Sequence, residues 1–134
     1  MKQLWKAVLL ACALSACGGT SVKQPSKQER TEEVSRIKTQ LALEYMRAKD
    51  YRLAVTTIEE ALQADRKNEI AWLMRAQIYQ FLKVFDKAEA SFREALQLQP
   101  NGAEINNNYG WFLCSSMNNP NAAMPYFDRA LSDP

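Results

Sequence analysis

Small and apolar residues recur along this chain in steps of four and three. Trp72, Ala76 and Tyr79 follow that rhythm, and so do Ala88, Phe92 and Ala95. Such steps bring side chains round to one face of an α-helix, with the polar residues left on the other. The rhythm also occurs one period earlier, as Ala42 and Tyr45 and then Ala54, Ile58 and Ala61. One period later it returns as Gly110 and Leu113, and then Ala123, Phe127 and Ala130, the last set displaced by one residue. The pattern predicts an all-α fold of six helices, at about 32–48, 51–65, 69–82, 86–98, 103–116 and 121–132. Asp50 stands where an N-cap for the second helix is wanted. Tyr51 and Phe85 hold the same place after their turns, which supports the alignment independently.

The period is that of a known repeat. Glu69 to Gly102 places Trp72, Ala76, Tyr79, Ala88, Phe92, Ala95 and Pro100 where the 34-residue tetratricopeptide (TPR) helix–turn–helix unit has its packing residues. Arg75 departs from the pattern at the Leu position, and Ala76 replaces Gly at the close-approach position. Three units are expected, over about 35–68, 69–102 and 103–134, stacked into a superhelix in which each hides its apolar stripe on its neighbour. In the third unit, Asn101-Gly102-Ala103-Glu104 reads as a capping box with Asn in place of Ser or Thr. The extra residue is expected in the turn Met117–Asn121, with Pro120 opening the last helix and Pro125 bending it or delaying its start.

Ahead of the repeats the chain changes character. Lys2 and Lys6 precede a short apolar run, Ala7 to Leu14, too short to span a membrane and laid out as a secretory signal. Leu14-Ser15-Ala16-Cys17 resembles the bacterial lipobox, which implies cleavage after residue 16 and acylation of Cys17. Gly18 at the next position implies, by resemblance to bacterial sorting rules, the outer membrane on its periplasmic face. Residues 17–31 are polar, with Gly, Ser and Pro, and read as a flexible tether; 32–134 form the repeat domain.

Charge and composition narrow the function. The chain carries 17 Lys and Arg against 15 Asp and Glu, and loss of Lys2 and Lys6 with the signal leaves it neutral. That argues against nucleic acid, which needs a concentrated basic face. There is no His, so His triads and His metal sites are excluded. Of three Cys, Cys12 leaves with the signal and Cys17 is acylated, so Cys114 is expected as a lone free thiol in an oxidising compartment. No catalytic constellation, metal site, cofactor site or small-molecule substrate site is read from the sequence, and the chain is expected not to be an enzyme.

TPR arrays bind peptides on the concave face, lined by the first helix of each repeat. By resemblance, repeat positions 2, 5, 9, 12 and 13 point there. These are Arg36, Thr39, Leu43, Met46 and Arg47, then Ile70, Leu73, Gln77, Gln80 and Phe81, then Glu104, Asn107, Trp111, Cys114 and Ser115. The Lys and Asn pairs of chaperone-type TPRs are missing from positions 5 and 9, so a chaperone-tail binder is not expected. Trp111 is either a groove anchor for a partner chain or core packed on the neighbouring repeat. Asn106-Asn107-Asn108 are poor helix formers and offer either groups for a partner backbone or a solvated helix start.

Lipobox, polar tether, TPRs and the string Asn107-Asn108-Tyr109-Gly110-Trp111-Phe112-Leu113-Cys114 together resemble the type IV pilus biogenesis/stability lipoprotein (pilotin) family. The resemblance implies a non-enzymatic outer-membrane lipoprotein that helps the pilus secretin to assemble or reach its place. A TPR adaptor of outer-membrane protein assembly, or a regulatory subunit of a cell-wall enzyme complex, is the alternative. That family's chains usually carry about twice as many repeats. This one is therefore expected to be a shortened form whose last helix is uncovered, marginally stable or dimeric through that helix.

Overall fold

The computed structural model describes residues 23–132. Those residues form six α-helices: α1 (Lys27–Arg47), α2 (Tyr51–Ala64), α3 (Glu69–Phe81), α4 (Phe85–Leu98), α5 (Ala103–Trp111) and α6 (Pro120–Leu131). They pair as α1 with α2, α3 with α4 and α5 with α6, and the pairs stack in order as a TPR superhelix. The signal segment, the lipobox Leu14-Ser15-Ala16-Cys17 and most of the tether lie outside the described residues.

Local chemistry sets the boundaries. The Asp50 carboxylate accepts from Leu53 N at 3.1 Å and starts α2. Asn68 does the same for α3, accepting from Ala71 N at 3.0 Å. The helix α1 begins at Lys27, earlier than expected, because Ser26 and Glu29 make a capping box that lies inside the polar stretch. The tether expected over residues 17–31 is thus helical from Lys27 onward. The capping box expected at Asn101 is not the one used. Gly102 is the N-cap of α5, with no side-chain cap. Asn106, one turn in, instead donates to the carbonyls of Pro100 and Gly102, both at 2.9 Å, and holds the loop against the helix. Pro120 opens α6 and Asn119 caps it, accepting from Ala122 N at 3.2 Å. The helix then runs through Pro125 without ending.

The third repeat corrects a placement. Lys49 and Lys83 end α1 and α3 in the left-handed region, at φ of 61° and 60°, and the matching residue of the third repeat is Asn118 at 51°. Each is followed by one capping residue and then a helix, so the three turns are equal in length. The extra residue is therefore not in the turn 117–121. It lies in a π-helical turn, Phe112–Ser116, that widens the end of α5.

The core is continuous from Ala42 to Ala123. Small residues sit where helices cross: Ala42, Ala76 and Gly110 are buried. Gly110 has a specific reason. A Cβ there would stand 2.7 Å from Cε1 of Phe127, on the facing helix. Phe92 of α4 binds the second repeat to the third, with ring centroids 5.3 Å from both Tyr109 and Phe112. Arg75, the departure from the repeat pattern, also earns a reading. It donates to Glu59 of α2 and to Ser91 of α4, both at 2.7 Å, while lying over the rings of Trp72 and Tyr79. One guanidinium ties three helices where a Leu would only fill space.

Candidate concave binding face

The first helices of the repeats, α1, α3 and α5, line one side of the array, and two hollows open along it. The first, of about 350 Å³, lies between α1 and α3 and is lined by Arg36, Thr39, Gln40, Leu43, Asn68, Ile70 and Met74. Its wall is largely apolar, through Leu43, Ile70 and Met74. The second, of about 470 Å³, lies between α3 and the π turn and is lined by Gln77, Gln80, Phe81, Lys83, Phe85, Ser115 and Ser116. One face thus offers an apolar site and, beside it, a mixed one in which amides and hydroxyls stand next to two Phe rings.

The expected groove residues divide into three sets. Leu43 and Met46 of α1 are half-buried, and Leu43 reaches the first hollow. Gln77, Gln80 and Phe81 line the second. Leu73 is corrected: it is buried beneath the face and part of the core. Thr39, at the same repeat position, is buried as well. At the same position of the third repeat, Asn107 is exposed. Met74, which the sequence reading passed over, takes the place in the wall that Leu73 was assigned.

Gln77 and Gln80 are less free than their positions suggest. Gln77 Nε2 donates to Asn108 Oδ1 at 3.1 Å, and Gln80 Nε2 donates to Ser116 Oγ at 3.0 Å. These bonds clamp α3 to the third repeat and leave the amide oxygens for a partner. The π turn decides which serine takes part: the plain period pointed to Cys114 and Ser115, and the added residue brings Ser116 to Gln80. The Asn triplet also separates. Asn106 is fully buried and structural, Asn108 braces α3, and Asn107 remains exposed on the face. The Oδ1 of Asn106 has no hydrogen-bond partner, a cost accepted to close the α4–α5 loop.

Trp111 is 59% exposed and is not core. It holds the same register as Leu43 and Gln77, both of which face the hollows. Phe81 is 56% exposed, with one face resting on Tyr51 at a centroid distance of 4.8 Å. Two large aromatics, Trp111 and Phe81, are therefore more than half exposed. Such rings are typical anchors for a partner chain, because they bury much area for little lost side-chain entropy.

Among the described residues, no group of three His, Cys, Asp or Glu side chains could hold a metal ion. None of their helices is long and apolar enough to cross a membrane. Cys114, half-buried in the π turn, is unpaired among them.

Tetratricopeptide-repeat profiles match residues 39–80 and 70–101. The fold is a tetratricopeptide-repeat superhelix. The repeats mark a protein–protein interaction domain. The resemblance to pilus biogenesis proteins is borne out by solved structures. A crystal structure of PilW, described as a widely conserved type IV pilus biogenesis factor, is 65% identical in sequence. It aligns with a TM-score of 0.75 over 76% of this chain and 46% of its own. PilF of Pseudomonas aeruginosa is 25% identical and aligns at 0.73 over 78% of this chain and 46% of its own. An uncharacterised protein of Haemophilus influenzae is 29% identical over 133 residues, which is 99% of this chain and 71% of that protein. The chain spans about half the length of the two pilus proteins it matches.

Proposed function

We propose that this TPR chain is a non-enzymatic scaffold of type IV pilus biogenesis that binds a segment of a protein partner on its concave face. The partner in this reading is the outer-membrane pilus secretin. The scaffold is held at the periplasmic face of the outer membrane by acyl chains on Cys17, since more than one chain gives stable anchoring. The observation that carries the reading is the 65% identity to PilW over three quarters of the chain. The exposed rings of Trp111 and Phe81, the latter lining the second hollow, support the concave face as the contact surface.

The partner is tested by capture from membranes. Trp111→Ala with Phe81→Ala should reduce secretin recovery, while Lys87→Ala on the other side should not. Both aromatics are exposed, so the double variant should keep its helicity, and unchanged recovery by a folded double variant would remove the concave face from the mechanism. The anchor is tested by metabolic labelling with palmitate. Cys17→Ala should lose the label, and equal labelling of both chains would refute lipidation there.

A further inference from the structure

The junction between the first two repeats and the junction between the second and third each leave a hollow beside their second helices. The earlier one, of about 380 Å³, has Glu59, Arg66, Arg75 and Glu94 in its wall. Its charges are balanced, two guanidiniums against two carboxylates, and Arg75 Nε donates to Glu59 Oε1 at 2.7 Å. The third repeat stands beyond this hollow, which is still open, so an opening at this place belongs to the junction of two repeats.

The later hollow, of about 500 Å³, lies between α4 and α6 with Tyr109 of α5 in its wall. Leu96 and Gln97 repeat the Leu62 and Gln63 of the earlier one. The charges, however, are exchanged. Arg93 holds the repeat position of Glu59, and Arg129, allowing for the added residue, holds that of Glu94. The positions of Arg66 and Arg75 carry Pro100 and Tyr109. The wall thus keeps two guanidiniums and has no carboxylate.

Both guanidiniums are positioned and keep donors to spare. Arg93 donates through Nη2 to Glu89, outside the wall, at 2.7 Å, which leaves further N–H groups for a ligand. Arg129 lies 5.1 Å above the ring of Tyr126, which meets Tyr109 edge-on at a centroid distance of 4.6 Å. No carboxylate among the described residues pairs with Arg129. We propose that this hollow is a second binding site, separate from the concave face, that takes a carboxylate of an acidic peptide segment. The ligand is a carboxylate because the earlier hollow offsets its guanidiniums with the chain's own Glu59 and Glu94, whereas the wall of the later one has none to offer. Arg binds carboxylate through paired, charge-assisted N–H donors. The ligand is a peptide because Leu96 and the two Tyr rings flank the guanidiniums with apolar surface, which suits the carbon stem that carries an acidic side chain.

The test is fluorescence anisotropy with a fluorescein-labelled hexaglutamate peptide, on the full chain in an uncharged detergent at low salt. The unaltered chain should bind the peptide saturably. Arg93→Gln with Arg129→Gln should weaken binding at least about tenfold. Arg30→Gln with Arg52→Gln removes the same charge at two positions outside the hollow and should leave binding within about twofold. All four side chains are exposed, so both double variants should keep the helical circular dichroism of the unaltered chain. No binding by the unaltered chain, or equal losses in the two double variants, would overturn the proposal. Displacement of the peptide by inorganic phosphate at equal concentration would overturn it in favour of a general anion site. Either failure leaves the concave-face reading standing, because this hollow shares no residue with the two on that face.

Discussion

The second and third repeats begin from one pattern and finish their first helices differently. In α3 the helix runs regularly to Phe81 and turns at Lys83. In α5 the regular helix stops at Trp111 and a π turn carries the chain to the same kind of left-handed residue, Asn118. The turns are alike in length and in their left-handed residue, so the added residue is absorbed where a helix can widen and not in the turn. The Val84 N–H reaches the carbonyl of Tyr79 at 2.9 Å, and the Asn119 N–H reaches that of Leu113 at 2.9 Å, one residue further back. Inserted residues in repeat arrays settle where the backbone can pass its hydrogen bonds to new partners without leaving any unmade.

The largest expected effect tests what holds the widened end in place. Phe92→Ala removes the ring on which Tyr109 and Phe112 rest and should cost about 3–5 kcal/mol in urea unfolding. Hydrogen exchange should show the third repeat loosening more than the second.

Single-residue deletions sharpen the comparison directly. Deleting Ser115 should let α5 finish as a regular helix and cost no more than about 1.5 kcal/mol, the value of the Gln80–Ser116 bond. Deleting Gln80 from α3, which has no residue to spare, should cost at least about 3 kcal/mol. Equal losses would mean that the π turn stores no slack.

The close-approach positions differ in a smaller way. Gly110→Ala puts a methyl 2.7 Å from the Phe127 ring and should cost about 1–3 kcal/mol by overpacking, measured by thermal or denaturant unfolding. In α3 the same position already carries a buried Ala76, and Ala76→Gly should cost about 1–2 kcal/mol through helix entropy and the lost burial of its methyl.

The smallest effect is alkaline. Burial, and then the nearby Glu89 carboxylate, push the Tyr109 phenol above its ordinary value of 10.0. Folding therefore favours the neutral phenol. The stability tied to it is intact below about pH 10 and is lost as pH rises through the folded value. Tyr109→Phe should flatten the alkaline limb of the stability curve, and an unchanged limb would remove Tyr109 as its source.

Helix spacing, repeat period and small residues at crossings were legible in the sequence because each is a local rule repeated at a fixed interval. Asp50 and Pro120 were placed by the same kind of rule. The start of α1 was legible too, through Ser26 and Glu29, but polar composition around them argued for a tether, and the capping box outweighed it. The site was read less well. Position numbers carried from the repeat family put Leu73 in the groove, yet burial there depends on whether a following helix covers it, which one repeat cannot say.

The sequence by itself determined an array of three helix pairs, their order and the stripe each must hide, since a period of helical spacing admits few other foldings. Only the tertiary structure decided where the extra residue went, that Trp111 is open while Leu73 is closed, and that Arg75 and Asn106 are braces. The reason is common to all four. Each depends on a neighbour far away in the chain: on Gln80 meeting Ser116, on α3 facing α5, on Glu59 and Ser91 meeting one guanidinium, and on a loop folding back over its own helix. Periodicity describes what a helix presents, and contact with the next helix settles what remains exposed.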